Sequence, residues 1–154
     1  MYENSPLNRV TNTYPQGNSW VGVSKGATIQ YLSNTTIDNV QKWNISGVQG
    51  STPTDAGAYA AGQLYKSISS DEKGLQVISF KDLEGHVVLK KVQLSAATVD
   101  NGSGSGHLNW LCTYYVYDDF GSLRFVITPK VVTQIDGSWI ISQPMADELC
   151  YRYE

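Results

Sequence analysis

The sequence predicts an all-β protein, an antiparallel meander of β-hairpins with little or no helix. Tyr, Trp and Phe number 10, 4 and 3 among the 154 residues, beside 14 Gly, a composition typical of aromatic-rich strands joined by tight turns. The pattern Asp-x-x-Gly occurs three times between runs rich in β-branched and aromatic residues. The 3.6-residue periodicity that a packed helix requires is not sustained anywhere, although residues 145–149 allow a brief helix.

The composition also excludes several classes of protein. Only 16% of the residues are charged and the formal net charge is −3, so we do not expect the basic surface of a nucleic-acid-binding protein. No apolar stretch approaches the roughly 20 residues that cross a membrane. The hydrophobic fraction of 41% argues against disorder, because disordered chains have too few apolar groups to offset their conformational entropy.

The chain divides into two predicted parts. Residues 1–27 are rich in Asn, Gly, Ser, Thr and Pro and are expected to form an irregular N-terminal arm. Residues 28–154 form the predicted antiparallel β domain. Its last run, 149–154, alternates like a strand, and the chain stops inside it, whereas domains usually end in dispensable residues. We therefore expect a truncated last strand and a longer parent protein.

The first predicted strands follow directly after the arm. Residues 28–32 and 40–45 have strand character, and the polar residues 34–39 separate them. This spacing predicts a hairpin with a loop of about six residues. Residues 46–62 contain four glycines and a proline and are predicted to form a loop, because each glycine in a helix interior costs about 1 kcal/mol.

Two Asp-x-x-Gly turns organise the middle of the chain. Strand-like residues 64–69, 75–80 and 86–94 are separated by turns that begin and end at the following residues: Asp71 and Gly74, then Asp82 and Gly85. The Asp side chain accepts hydrogen bonds from backbone amides at the first corner of a type I turn. Glycine then takes the positive φ with which the chain re-enters the sheet, often through a bulge. The pattern predicts a three-stranded meander.

The last third of the chain repeats this organisation. Residues 108–117 have strand character and lead into the third Asp-x-x-Gly turn, in which Tyr117 precedes Asp118 and Gly121 closes the turn. Residues 123–127 then form a strand that Pro129 ends. Further on, residues 131–135 and 138–141 flank Asp136-Gly137, and this dipeptide predicts another hairpin.

No residue is predicted to be catalytic or to bind a metal, and no cofactor is expected. His86 follows a turn glycine, where a solvent-facing or cross-strand role is favoured. His107 closes the Gly/Ser-rich loop 101–106 with no Cys or carboxylate at ligand spacing, which disfavours a metal site. The adjacent carboxylates Asp118 and Asp119 point in different directions on a turn, and the turn itself explains Asp118. The sequence singles out no ligand-binding residue.

Two sets of residues leave alternatives open. The cysteines Cys112 and Cys150 are either two half-buried thiols, which is favoured, or a disulfide worth roughly 4 kcal/mol that would persist only in an exported protein. The tryptophans, together with the ten tyrosines, either pack in the core and across strands, which is also favoured, or form a stacking platform for sugars. The tryptophans are Trp20, Trp43, Trp110 and Trp139.

The turns belong to an internal repeat. When Gly85 is aligned with Gly121, Asp82 falls on Asp118 and the apolar positions before and after the turns coincide. The unit is a strand, the turn and a strand that begins with an alternating apolar position. Such a unit cannot bury its own hydrophobic face and must pack against its neighbours.

This unit resembles a known family. Residues 115–124 are similar to the Tyr-Asp (YD) repeat of bacterial RHS/YD-repeat proteins. Four further segments resemble, in order, landmarks of the domain of unknown function that precedes those repeats: residues 3–10, 62–66, 82–90 and 148–154. The first unit departs from the pattern because Lys81 stands where the repeat has Tyr, and Asp136-Gly137 is a tighter turn than the family repeat.

The resemblance implies a large secreted or surface-associated parent. In that family the repeats form strips of β-hairpins that wind into a shell or an extracellular scaffold, so the expected role of this chain is structural and not enzymatic. The expected partners are the following YD repeats of the parent chain, with self-association through the truncated edge strand. The alternative is an extracellular module that binds carbohydrate or protein through exposed aromatic residues.

Overall fold

Ten strands and two short helices make up the computed structural model, which describes residues 1–14 and 26–153. The strands are β1 (Asn12–Thr13), β2 (Ala27–Ser33), β3 (Gln41–Asn44), β4 (Thr54–Ala58), β5 (Tyr65–Ser70), β6 (Gln76–Lys81), β7 (Val87–Gln93), β8 (Trp110–Tyr117), β9 (Leu123–Ile127) and β10 (Tyr151–Arg152). The helices are α1 (Pro129–Ile135) and α2 (Gln143–Leu149), and a 3₁₀ turn spans Thr36–Asp38. The predicted fold class, all-β with little helix, is confirmed, and α2 covers the brief helix expected at 145–149.

Eight of these strands form one antiparallel sheet, in the order β1-β2-β5-β6-β7-β8-β9-β10. The strands predicted at 64–69, 75–80 and 86–94 are neighbours in it, and β8 and β9 follow. The remaining two strands, β3 and β4, form a separate pair. Within the described ranges, no helix has the length and hydropathy to cross a membrane.

The edges of the sheet are short. The described part of the N-terminal arm, residues 1–14, contributes β1 and an isolated bridge between Tyr2 and Val10. The remainder of the arm up to residue 25, which includes Trp20, lies outside the described residues. At the other edge β10 pairs with β9 over two residues, and Glu154 also lies outside the described residues. Short edge strands limit the backbone that is open to pairing.

The core lies on one face of the sheet. Alternation is clearest along β8, where every second side chain is buried and the intervening ones are partly or largely exposed; the buried residues are Trp110, Cys112, Tyr114 and Val116. This period of two is that of a strand with one covered face. Both α1 and β3 contact β8 and so cover its buried face.

The hairpin predicted between residues 28–32 and 40–45 is wrong. Strand β2 pairs with β5, not with β3. The physical reason is Asn34, whose side chain accepts a hydrogen bond from the Leu64 N–H at 2.8 Å and donates to the Ala60 carbonyl at 2.9 Å. The residues between β2 and β5 therefore form an insertion whose two ends Asn34 holds together.

The loop predicted for residues 46–62 is also wrong in part. Strand β4 lies within it and pairs with β3. All five of its residues are exposed, so the strand has no hydrophobic pattern that the sequence could reveal. Its position is set by backbone pairing with β3, which carries the half-buried Trp43 against the core.

The hairpin predicted around Asp136-Gly137 is wrong as well. Residues 129–135 form α1, with Pro129 in the first turn, where its missing N–H costs nothing. The helix buries Val131, Val132 and Ile135, so these β-branched residues pack as one helical face. Gly137, with φ +90°, turns the chain out of the helix instead of joining two strands. Tertiary burial has overridden local β propensity.

Candidate functional site

The three Asp-x-x-Gly turns share one hydrogen-bond geometry. In each, the Asp carbonyl accepts the Gly N–H at 3.0 to 3.2 Å, and Oδ1 of the same Asp accepts two backbone N–H groups at 2.8 to 3.0 Å. The closing glycines have φ between +76° and +92°, a region that residues with a Cβ rarely adopt. The turns begin at Asp71, Asp82 and Asp118. Each carboxylate thus fixes its turn with one oxygen and leaves Oδ2 free for other contacts.

The second and third turns also share a bulge. Along β6 and β7 the register shifts between Phe80 and Lys81, and along β8 and β9 it shifts between Val116 and Tyr117. These positions coincide when Gly85 is aligned with Gly121. The two units of the internal repeat found in the sequence therefore also have the same backbone structure around their turns. No register shift is recorded between β5 and β6, which flank the first turn.

Tyr117 joins the two repeat units. Its hydroxyl donates to the Val87 carbonyl at 3.1 Å, and its ring stacks on His86 with centroids 4.6 Å apart and planes 22° apart. Burial raises the pKa of Tyr117, and Asp82 adds to the effect. His86 therefore has the cross-strand role that its place after a turn glycine suggested.

A pocket of about 150 Å³ opens beside these turns. We call it the turn pocket. Its lining includes aromatic rings from three places in the chain and three carboxylates: Trp43, Tyr59, Tyr115, Tyr117, Asp82, Glu84 and Asp118. The lining also contains His86 but no Lys or Arg. Because aromatic faces and carboxylates both attract cations, the turn pocket has the chemistry of a cation-binding site.

His86 brings two carboxylates together within the turn pocket. Its Nδ1 lies 3.2 Å from Oδ2 of Asp82 and 3.5 Å from Oε2 of Glu84. The three ligand atoms all lie within 4.8 Å of one another. The Glu84 side chain is 78% exposed, whereas those of Asp82 and His86 are only about a quarter exposed. The sequence reading assigned Asp82 to the turn alone and missed that its second oxygen faces an imidazole.

A second cluster of charges is completely buried. Nζ of Lys66 lies 2.8 Å from Oδ1 of Asp38 and 2.7 Å from Oδ2 of Asp100, and all three side chains are fully inaccessible. Nζ of Lys91 donates to the backbone carbonyls of Asp38, Ser105 and Gly106. We call the four charged residues the buried ion cluster. It attaches the 3₁₀ turn and the Gly/Ser-rich loop to the centre of the sheet.

The buried surroundings shift the pKa values of Lys91 and Asp100. Burial lowers the pKa of Lys91 to about 8. Burial acts to raise the pKa of Asp100, but hydrogen bonds from Lys66 and from the Gly102 N–H lower it on balance. Because each ammonium has several oxygen acceptors, the cluster satisfies the rule that buried charges must be paired and hydrogen-bonded.

His107 and Tyr114 extend this polar interior. The Gln41 N–H donates to the Tyr114 hydroxyl at 3.0 Å, and that hydroxyl lies 2.7 Å from Nε2 of His107. Because the Tyr114 hydroxyl accepts a hydrogen bond from the Gln41 N–H, its own proton can be donated in a hydrogen bond to Nε2 of a neutral His107. Burial lowers the pKa of His107 to about 3, and the charge of Lys91 acts in the same direction. His107 is thus a buried, neutral histidine.

The structure resolves the placement of the described tryptophans and both cysteines. Trp43 and Trp139 lie 6.4 Å apart with their planes at 73°, and Trp110 is 3% exposed, so these three pack in the core and do not form a flat platform. Cys112 and Cys150 are both free. Burial raises the pKa of Cys112 to about 12, so its thiol is protonated and unreactive.

Sequence reasoning missed the buried ion cluster, although one pattern could have indicated it. Lys66 lies between Leu64 and Ile68 at the spacing of two that places strand residues on one face, and Lys91 has the same relation to Leu89. A lysine at an inward position requires a buried acceptor. The acceptors themselves come from loops far away in the sequence, so no local pattern could identify them.

Comparisons were made with protein-family models, curated proteins and solved structures, and none of them matches this chain.

Proposed function

We propose that this chain is a non-enzymatic structural part of a large secreted or surface protein of the RHS/YD-repeat type. Its role is to form a scaffold or shell in which β-hairpin units pack side by side. The contact of Tyr117 with Val87 and His86 is the observation that carries the proposal. The hydroxyl and ring of Tyr117 contact Val87 and His86 of the preceding unit, which supports a stack in which one unit packs on the turn of the unit before it.

The repeated bulge supports the same proposal. Two units of identical register and identical turn geometry lie next to each other in the sheet. Nearest-neighbour packing of similar units is how repeat proteins bury apolar surface that a single unit leaves exposed. Further units could add beyond β10, with the parent chain as the main partner and a second copy as a weaker one.

The reading frame of the gene tests the proposal directly. Past the codon for Glu154, we expect additional Tyr-Asp-x-x-Gly units, each preceded and followed by strand-like runs. A stop codon with no such units, and none upstream of Met1, contradicts the proposal. Sedimentation velocity of residues 1–154 tests whether two copies associate through the edge strand β10. We expect a concentration-dependent dimer, and a strict monomer at all concentrations overturns self-association through β10.

A second candidate function is an extracellular carbohydrate- or protein-binding module. The turn pocket favours it, because three tyrosine rings and three carboxylates converge on a cavity of about 150 Å³, and binding sites combine apolar walls with a few placed polar groups. This candidate uses the tyrosines of the pocket together with Trp43, and not all four tryptophans.

Glycan-array screening separates the two candidates. If the turn pocket binds sugars, the unmodified chain gives specific signals that Tyr59→Ala abolishes. Tyr65→Ala is the matched control, because Tyr65 is 61% exposed and does not line the pocket. An absence of specific signals, or signals that Tyr59→Ala leaves unchanged, contradicts carbohydrate binding in the turn pocket.

A further inference from the structure

We propose that Asp82, Glu84 and His86 form a binding site for a divalent transition metal, with Zn²⁺ as the best-fitting ion. The site goes beyond the scaffold role and does not depend on it. One imidazole and two carboxylates are a ligand set that zinc accepts in proteins. All three come from a five-residue segment that a single turn folds.

The spacing of the ligand atoms fits a metal centre. Atoms bonded to zinc at about 2.1 Å in a tetrahedral arrangement lie roughly 3.4 Å from one another. Nδ1 of His86 lies 3.2 Å from Oδ2 of Asp82 and 3.5 Å from Oε2 of Glu84. Two edges of the tetrahedron are therefore present already, and the exposed Glu84 side chain is free to complete the third.

Contacts outside the ligand set hold two of the ligands in place. Oδ1 of Asp82 accepts the backbone N–H groups of Glu84 at 3.0 Å and of His86 at 2.8 Å, which leaves Oδ2 as the ligand. The imidazole is stacked on Tyr117, whose hydroxyl is anchored on Val87. Such outer contacts orient metal ligands and raise affinity by about ten- to hundredfold.

The other two turns show that this arrangement is not required for turn formation. At the positions of Glu84 and His86 the first turn has Lys73 and Leu75, and the third has Phe120 and Ser122. All three turns nevertheless share the same backbone hydrogen bonds. The Glu and the His of the second turn are therefore additions to a turn that forms without them.

The site is open on the side of the turn pocket. Three protein ligands leave a fourth position for water or for a group from a ligand, as in zinc sites that are not purely structural. When the metal binds, Nδ1 of His86 must present its lone pair, so a proton on Nδ1 moves to Nε2 or is released to solvent. No redox step is involved.

Nuclear magnetic resonance on the intact chain provides a direct test, because the chain has only two histidines. In a Zn²⁺ titration we expect saturable one-to-one binding in which the ¹⁵N signal of His86 Nδ1 shifts and the signals of the buried His107 do not. Mg²⁺ at the same concentration should leave the imidazole signals unchanged, since magnesium prefers oxygen ligands.

Isothermal titration calorimetry with variants completes the test. The double variant Glu84→Gln with His86→Gln should lose saturable Zn²⁺ binding, while Glu72→Gln, a change of an acidic residue in the first turn, should bind like the unmodified chain. Circular dichroism of the double variant checks that the fold is retained. Absence of saturable binding by the unmodified chain overturns the proposal, and so does undiminished binding by the folded double variant.

Discussion

The hydroxyl of Tyr117 donates a hydrogen bond to the backbone carbonyl of Val87 at 3.1 Å. The two residues belong to successive repeat units, and Val87, the first residue of β7, follows the turn that Gly85 closes. The bond therefore connects the strand before one Asp-x-x-Gly turn with the strand after the preceding turn. Tyr117, the residue before Asp118, thus gives the third unit a polar anchor on the unit before it, in which Lys81 takes the corresponding position.

Removing the hydroxyl should weaken this connection. We expect Tyr117→Phe to lower the free energy of unfolding by about 0.5–1.5 kcal/mol, the net value of one hydrogen bond, because the ring and its stacking on His86 remain. Tyr115→Phe is the matched control: Tyr115 lies on the same strand, and its hydroxyl has no hydrogen-bond partner among the residues that the structure describes. Urea unfolding measures both, and equal losses contradict the prediction.

The turn carboxylate of the third unit should matter more than its neighbour. Asp118 accepts the N–H groups of Phe120 and Ser122 with Oδ1, so Asp118→Ala should cost about 1–3 kcal/mol. Asp119→Ala should change stability by less than about 0.5 kcal/mol, because Asp119 is exposed. Thermal unfolding of the two variants compares adjacent carboxylates in one turn. A similar loss in both disproves the assigned role of Asp118.

The buried ion cluster makes a strong prediction for Lys66. Lys66→Met leaves Asp38 and Asp100 buried without their shared cation, which should cost about 3–5 kcal/mol. Adding Asp100→Asn to Lys66→Met should recover part of that loss, since it removes one unpaired charge. Lys90→Met, an exposed lysine on β7, is the control and should be near neutral. Urea unfolding at pH 7 gives the three values, and a neutral Lys66→Met refutes the pairing.

Two glycines of one loop should respond oppositely to alanine. Gly104 has φ +117°, and a Cβ there would lie 2.9 Å from Cβ of Ile37 and closer still to the Thr35 hydroxyl. Gly104→Ala should therefore destabilise by more than about 1 kcal/mol. Gly106 has open space around it, so Gly106→Ala should be neutral or slightly stabilising. The melting temperatures of the two variants measure this difference, and an equal change in both contradicts the close approach at Gly104.

His107 should make the protein sensitive to acid. Its pKa is about 3 in the folded chain and near 6.5 when unfolded, so only the unfolded chain takes up this proton in between. Stability is therefore fully present above pH 6.5 and falls as the pH drops, with a slope that approaches about 1.4 kcal/mol per pH unit.

The variant His107→Gln tests this acid sensitivity. It removes the titrating group but can still hydrogen-bond the Tyr114 hydroxyl. The charged groups that face His107 are Lys91, Asp38 and, at 4.0 Å, Asp136. Between pH 6.5 and 5.5, above most of the range in which the carboxylates titrate, the unfolding free energy of the variant should depend less on pH than that of the unmodified chain. Parallel profiles rule out His107 as the source.

The sequence predicted the fold class and its regular central part because the information there is local. An Asp-x-x-Gly turn contains its own hydrogen-bond donors and acceptors, so Asp82 and Gly85 specify their turn without help from the rest of the chain. The alternation along β8 is likewise local, because successive side chains of a strand point to opposite faces of the sheet. The repeat between Gly85 and Gly121 was visible for the same reason.

The errors arose where distant contacts decide between local alternatives. Residues 131–135 have β propensity, but in α1 they bury one face against β8, and burial is worth more than propensity. The partner of β2 depends on Asn34, whose acceptors and donors lie about thirty residues away. Short-range patterns contain no information about such contacts.

The chain by itself determined an all-β domain with three like turns, two of them in a repeat, because each turn is a short-range hydrogen-bond unit. The tertiary structure alone decided which strands are neighbours and how the polar groups meet. It placed Lys66 between two loop carboxylates and His86 between Tyr117 and two acidic side chains. Most of these groups lie far apart along the chain, and the others are neighbouring side chains of one turn. Only tertiary packing fixes the distances between their charged and aromatic atoms, on which their chemistry depends.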